Sequence, residues 1–397
     1  MTSCKYKKLR VAMLGHKRIP SREGGVEIVV SELATRMVVF GHSVTCYNRK
    51  GHHISGSEFD TAQSDTYRGV RLKNVFTLNK KGLAAMTASC SAAIRAAFGR
   101  YDVVHFHAEG PCAMLWLPKL FGKRCIATVH GLDHKRAKWG KFASWYIRAG
   151  EKCAVRFADE IIVLSEGVQK YFLETYQRKT VLIPNGVTAP IRVEADDIER
   201  RYGLQKDGYI LFLGRLVPEK GVHDLISAYK GLSADRKLVI AGGSSDSSDY
   251  MQSLIALADG DPNIIFTGFV QGRLLEELYS NAYVYVLPSS LEGMPLSLLE
   301  AMSYGNCCLV SDIPECTDVI GNCGLSFETG NASDLREKLQ YLCDYPDAVH
   351  RFRSCAADHV LAKYNWDDVT EKTLQIYGAF TDAADSEERI HEGSAHK

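Results

Sequence analysis

Residues 209–221 read YILFLGRLVPEKG, and residues 289–305 read SSLEGMPLSLLEAMSYG. In the first stretch a continuous apolar run of strand length ends at Gly214, a short loop carries Arg215 and Lys220, and helical spacing begins after Gly221. Unbroken apolar runs of this length are what strands buried on both faces look like, and a strand that empties directly into a helix is one step of an alternating β/α series. The second stretch follows the run YVYVLPS, sets Glu292 and Gly293 in the loop, and starts a helix at about Pro295 that carries Glu300.

The alternation extends outward from both. Upstream come LRVAML, a helix from Gly25 to Phe40, SVTCYNR, VRLKNVF, a helix from Leu83 to Phe98, DVVHFH, RCIATVHG, a helix from about Trp139 to Ala158, EIIVLS and VLIPNGV. Thr188–Asp207, TAPIRVEADDIERRYGLQKD, is polar and reads as an interdomain linker. Beyond it YILFLGRL, KLVIAGG, NIIFTGFV, YVYVLPS and CCLVSD repeat the pattern. The expected fold is α/β, two doubly wound Rossmann-like domains with a cleft between the carboxyl ends of their sheets. The expected boundaries are 1–187, a linker at 188–207, 208–364, a helical segment at 365–384 that crosses back to the first domain, and a polar tail at 385–397 that reads as disordered.

Composition excludes several classes. A chain of 397 residues exceeds what one core organises, and 46% apolar with 24% charged residues is ordinary for a globular protein. Forty-eight basic against forty-seven acidic residues leave a net charge of +1, too little field to gather nucleic acid. No apolar run approaches the roughly 18 to 20 residues that span a bilayer, and the stretch from Met1 to Gly15 does not read as a signal peptide. Twelve cysteines without a CxxC pair read as thiols in a reducing compartment, which places the protein in the cytoplasm.

Arg215 and Lys220, on a strand-to-helix loop, suit a diphosphate: arginine grips oxygens in a fork, lysine adds a point charge, and the free N–H groups of the following helix point the same way. A solvated loop is the plainer reading of the same residues. Glu292 and Glu300 face one site from different heights, and carboxylates recognise vicinal hydroxyls by accepting two hydrogen bonds.

With these residues in place, GRLVPEKG followed by LEGMPLSLLEAMSYG resembles the retaining glycosyltransferases of the GT-B fold, family 4. The resemblance implies that Arg215 and Lys220 bind the donor diphosphate, that Glu292, with the adjoining Gly293 and Leu296, contacts the sugar, and that Glu300 holds the ribose. PNGV at Asn185 and Gly186 matches the family's hinge-proximal sequence. In the first half RIPSREGGVEIVVSELATRM, HFHAEGP and VHGLDHKRAKWGKF are similar to bacterial rhamnosyltransferases of surface polysaccharide assembly. There Gly24 and Gly25 let the backbone approach the phosphates, and His130 lies against the donor sugar, although Thr128 or Asp133 fits that polar role equally. His107, Glu109 and Asp133 are candidates for acceptor recognition.

No metal or other cofactor is expected. Asp259-Gly260-Asp261 spells a metal-binding string, but it precedes the strand IIFTGF and reads as a turn. From Lys141 to Lys152 the spacing Lys141, Trp145, Arg148, Lys152 draws a basic stripe with a tryptophan, and Trp139, Phe142, Ala143, Tyr146 and Cys153 are assigned to the opposite, apolar face. That helix suits either an anionic membrane surface or plain solvent. The resulting expectation is transfer of a hexose or deoxyhexose from a UDP, GDP or dTDP donor to a glycan or polyprenyl-linked acceptor. A sugar-nucleotide epimerase or an inactive nucleotide-sugar-binding subunit of the same fold are the rivals.

Overall fold

The computed structural model describes residues 7–51, 56, 59, 64–78, 80, 82–132, 134, 140–233, 235–243 and 248–379. In the first half β1 (Arg10–Leu14), β2 (Ser43–Arg49), β3 (Thr66–Tyr67), β4 (Val70–Val75), β5 (Val103–His107), β6 (Arg124–Val129), β7 (Glu160–Val163) and β8 (Val181–Leu182) form one sheet, in the order β3-β4-β2-β1-β5-β6-β7-β8. All its pairings are parallel except the β3–β4 hairpin. The second sheet holds β9 (Tyr209–Leu213), β10 (Lys237–Ala241), β11 (Ile264–Gly268), β12 (Val284–Leu287), β13 (Cys307–Ser311) and β14 (Gly324–Phe327), all parallel, in the order β11-β10-β9-β12-β13-β14. Central strands are sealed on both faces, which is why they read as unbroken apolar runs: Val11 to Leu14, Ile210 to Phe212 and Tyr285 to Leu287 are fully buried.

In each sheet the strand order reverses direction once, between β1 and β5 and between β9 and β12. Loops leaving the strands on either side of such a reversal splay apart and open a crevice. The candidate residues leave those strands or their neighbours: Gly24 and Gly25 follow β1, His107 ends β5, Arg215 and Lys220 follow β9, and Glu292 follows β12.

The chain passes between the two sheets twice, and the crossings touch. Val187 bridges Asn365, and its N–H donates to the Tyr364 carbonyl at 2.8 Å. The helix Trp366–Ile376 then packs on the helix Gly25–Val39, where Arg36 pairs with Asp367 at 2.8 Å. Arg124 donates to the Ile376 carbonyl at 2.8 and 3.0 Å, and the Tyr377 hydroxyl meets His105 Nδ1 at 2.6 Å.

Two sequence expectations change, and the linker gains detail. Residues 188–207 contain the helix Asp197–Tyr202, in which Ile198 is fully buried, and Glu277 of the second domain caps that helix by accepting the N–H groups of Asp196 and Ile198 at 3.0 and 3.1 Å. A single buried isoleucine among charges carries too little periodicity to announce the docking. Not all cysteines are thiols, because Cys323, just before β14, and Cys355, on the helix Pro346–Lys363, form a disulfide with Cα atoms 5.7 Å apart. Finally, Phe142 is 65% exposed on the helix Lys141–Phe157, beside Trp145 at 64%, so it belongs to the outer stripe and not to the apolar face. Trp139, Asp133 and the tail 385–397 lie outside the described residues.

Candidate active site

A cavity of about 210 Å³ lies between the carboxyl ends of the two sheets, and both domains line it. From the second domain come Arg215, Lys220, Glu292, Gly293, Leu296 and Glu300; from the first come Gly24, Gly25 and His130. The fold thus gathers into one cavity nine residues that the sequence reading selected from four separate loops and two helices.

The turn Pro218–Lys220 after β9 aims Lys220 inward, and Gly221 ends it at φ +64°, a backbone region that glycine alone enters freely. A Cβ there would also sit 2.0 Å from the Pro288 carbonyl oxygen, so the turn is pressed against the end of β12. Lys220 Nζ reaches Glu292 Oε1 at 2.5 Å, with the two side chains only 12% and 10% exposed. A charge-assisted pair at this distance, largely shielded from water, fixes where both side chains sit. Arg215 lines the same wall immediately after Gly214.

Glu300, on the helix Leu296–Ser303, is engaged from both sides. Its Oε1 accepts from Arg22 of the first domain, and its Oε2 accepts the Tyr279 hydroxyl at 3.2 Å. The two domains also meet through backbone: a Cβ on Gly293 would lie 1.8 Å from the His130 carbonyl oxygen, and one on Gly25 would lie 3.4 Å from Leu296 Cδ1. Asn185, beside the first crossing, donates through Nδ2 to the Met294 carbonyl at 3.3 Å.

Sequence reasoning missed Lys17 and Arg22, which line the cavity from the loop after β1. Burial lowers the Lys17 ammonium, with Arg215 and Arg49 pressing the same way against the pull of Glu27 and Glu23; Glu300 raises the Arg22 guanidinium. The strand-to-helix logic that selected Arg215 would have found both, since each sits between β1 and the helix Gly25–Val39.

The histidines form a buried file behind the cleft. His107 does not line the cavity; its Nδ1 meets His130 Nε2 at 3.1 Å, and its ring lies 4.1 Å from that of His105. His105 is itself held by Thr128 Oγ1 at 2.7 Å. Burial depresses His16 to about 4 and His105 to about 3, and it holds His107 well below the usual range with the neighbouring rings adding to the effect. All three are therefore neutral at neutral pH. Glu109 sits apart from the cleft, buried with His134 and Glu151, whose oxygens approach His134 Nδ1 at 3.9 Å (Glu109) and 3.5 Å (Glu151). Among the described residues these three are the group whose donor atoms cluster closely enough for a cation, all within 4.8 Å of one another.

Two outcomes follow from this geometry. Gly293→Ala should push the domains apart while leaving each core intact: the melting temperature should stay within a few degrees while kcat/KM drops at least tenfold, and unchanged turnover would show that the close approach is dispensable. The histidines are depressed in the folded chain and ordinary, near 6.5, in the unfolded one, so the unfolded state takes up protons first. Their stability is fully present above about pH 6.5 and is lost as pH falls toward 4. Denaturant titrations between pH 7 and 4.5 should show that decline, and His16→Gln should flatten it; a wild-type profile that is level there would contradict the assignment.

Known proteins resemble this chain along most of its length. The profile described as Glycosyltransferase Family 4 matches residues 23–189, and that described as Glycosyl transferases group 1 matches residues 194–359, so between them they span both domains. An uncharacterized glycosyltransferase of Methanocaldococcus jannaschii, MJ1607, is 25% identical over 93% of this chain and 98% of its own length. The O-antigen chain mannosyltransferase RfbU of Salmonella typhimurium is 27% identical over 57% of this chain and 61% of its own length. Among solved structures, Anabaena Alr3699/HepE in complex with UDP and glucose superposes with a TM-score of 0.77 at 14% identity, covering 94% of this chain and all of that one. The chain belongs to the family 4 glycosyltransferases, retaining hexosyltransferases of the GT-B fold that draw their sugar from a nucleotide donor.

Proposed function

We propose that this glycosyltransferase moves a hexose or deoxyhexose from a nucleoside diphosphate to a hydroxyl of a lipid-linked glycan during assembly of a cell-surface polysaccharide. The observation that carries the reading is the Lys220–Glu292 pair beside Arg215, on one cavity with Glu300. One cavity thus offers cations for a diphosphate and carboxylates for sugar hydroxyls, the two groups that a sugar nucleotide carries. The O-antigen mannosyltransferase among its relatives supports a surface-glycan acceptor, and HepE, solved with UDP and glucose, supports a pyrimidine diphosphate donor.

In this reading Arg215, Lys220 and the backbone N–H groups at Gly24 and Gly25 stabilise the departing diphosphate, and that electrostatic term supplies most of the rate. Glu292 and the backbone at Gly293 and Leu296 hold the sugar, with His130 against its ring, while Glu300 takes the ribose. The acceptor hydroxyl attacks the face that the diphosphate leaves, and the leaving phosphate accepts its proton. The sugar thus passes to the acceptor with its anomeric configuration kept and without a protein nucleophile. Positioning of the two substrates supplies the remainder. His107, bonded to His130, fixes that ring from behind.

The lipid-linked acceptor places the enzyme at an anionic membrane surface. Phe142 and Trp145, rings 5.9 Å apart, share the exposed side of the helix Lys141–Phe157 with Arg148, Lys152 and Arg156. On neighbouring helices Phe98 packs on Phe121 at 4.6 Å beside the exposed Leu120. Aromatic rings flanked by cations suit the headgroup boundary of a bilayer. No helix among the described residues is long and apolar enough to cross one.

Thermal shift against UDP, GDP, dTDP and ADP tests the donor site: one diphosphate should raise the melting temperature of the wild type, and neither Arg215→Ala nor Lys220→Ala should respond. A stabilising ligand at a hundredfold excess over its Kd contributes about 2.7 kcal/mol. Equal response in all three proteins would place the nucleotide elsewhere. Turnover with the sugar nucleotides UDP-glucose, GDP-mannose and dTDP-rhamnose then fixes the sugar. Flotation with vesicles of phosphatidylglycerol and phosphatidylcholine tests the surface: the double variant Phe142→Ser, Trp145→Ser should lose at least tenfold in binding to the anionic vesicles, and undiminished binding would exclude that face.

A further inference from the structure

The pairing of Arg22 with Glu300 joins residues of opposite domains across the very cavity that the donor must enter. Glu300 is the residue read above as the ribose ligand, and in this structure both of its carboxylate oxygens are engaged, one by Arg22 and the other by the Tyr279 hydroxyl. A ribose diol that binds there competes with Arg22 for Oε1. Consistent with a bridge lying across the space, the cavity of about 210 Å³ falls below the ~300–1,000 Å³ usual for ligand sites.

Arg22 cannot escape by losing its proton. The guanidinium is never neutral in proteins, and Glu300 raises its affinity for the proton further. Once displaced, it needs another anion within the cleft. A sugar nucleotide with a neutral sugar brings one anionic group, the diphosphate. Arg22 is two residues from Gly24, the N-cap of the helix Gly25–Val39, so it is carried on the same loop as the backbone N–H groups assigned to the phosphates. Arginine binds phosphate oxygens in the forked geometry that it uses for carboxylates, so the exchange costs no change of bonding type.

We propose that Arg22 is a specificity-determining residue of the donor site: it neutralises Glu300 in the empty cleft and transfers to the donor diphosphate when the ribose takes its place. This rests on the donor-site reading given above. The consequence is that the two halves of the donor are recognised together. A nucleoside satisfies Glu300 but strands Arg22, and pyrophosphate satisfies Arg22 but leaves Glu300 with Tyr279 alone. Only a ligand that carries ribose and phosphate on one frame completes the exchange, so free nucleosides and free pyrophosphate are both rejected by the charge that each leaves unpaired.

The experiment is a binding ladder on wild type, Arg22→Ala, Arg22→Lys and Lys220→Ala. UDP, GDP, dTDP and ADP are titrated by calorimetry, and uridine, guanosine, thymidine and adenosine by ligand-detected NMR. For the matching base, Arg22→Ala should weaken the diphosphate at least tenfold and tighten the nucleoside several-fold, because Glu300 is then open to the ribose. Arg22→Lys, which keeps the charge without the fork, should lie between wild type and Arg22→Ala on both scales, and the opposite signs for the two ligands distinguish the exchange from a general loss of fold. If Arg22→Ala tightens both ligands, Arg22 is a competitor that never reaches the phosphate, and the proposal fails. It fails equally if both weaken together or neither changes. Lys220→Ala separates this from a failure of the site itself: undiminished diphosphate binding in that variant would remove the donor-site reading, whatever Arg22 does.

Discussion

The contact between Gly293 and the His130 carbonyl oxygen sets the separation of the two domains. A side-chain carbon there would stand 1.8 Å from that oxygen, so the carboxyl ends of the sheets approach to backbone distance. Only at that distance does Gly25 touch Leu296, Asn185 reach Met294 and Arg22 reach Glu300. The opposite side is held by different means, where Val187 bridges Asn365 and the helix Trp366–Ile376 returns to the first domain. The two crossings and the Gly293 contact thus hold the domains together from opposite sides of the cleft.

Bringing the domains so close removes water from charged groups, and the cleft must then neutralise itself. Lys220 on Glu292 and Arg22 on Glu300 do so, one pair within the second domain and one between domains. Such pairs are weak sources of stability, because desolvation offsets most of their attraction, but they fix where charge sits before any ligand arrives. Behind them, buried His105 and His107 stay neutral and so add no charge that would compete for the donor.

Much of this was legible in the sequence, for a local reason. Arg215, Lys220, Glu292 and Glu300 each lie within a few residues of a strand end or helix start in their own βα unit, so pattern and position identify them together. Arg22 and Lys17 have the same local setting, yet the partner that gives Arg22 its meaning lies 278 positions away. No spacing rule reports a contact of that range. The burial of Ile198 and the exposure of Phe142 were hidden for the converse reason: one buried residue in a polar stretch, or one exposed ring on an amphipathic helix, differs from its neighbours only through tertiary packing. The Cys323–Cys355 disulfide depends likewise on how the helix Pro346–Lys363 brings Cys355 to the turn before β14, and Glu109 looked available only because the residues that bury it, His134 and Glu151, are distant in sequence.

The charge exchange in the cleft is tested most directly by a crystal structure with the cognate nucleoside diphosphate bound. The account predicts the ribose hydroxyls on Glu300, the diphosphate between Arg215 and Lys220, and the Arg22 guanidinium moved from Glu300 onto a phosphate oxygen, with Gly293 still against the His130 carbonyl. A complex in which Arg22 remains on Glu300 while the ribose binds elsewhere would contradict it.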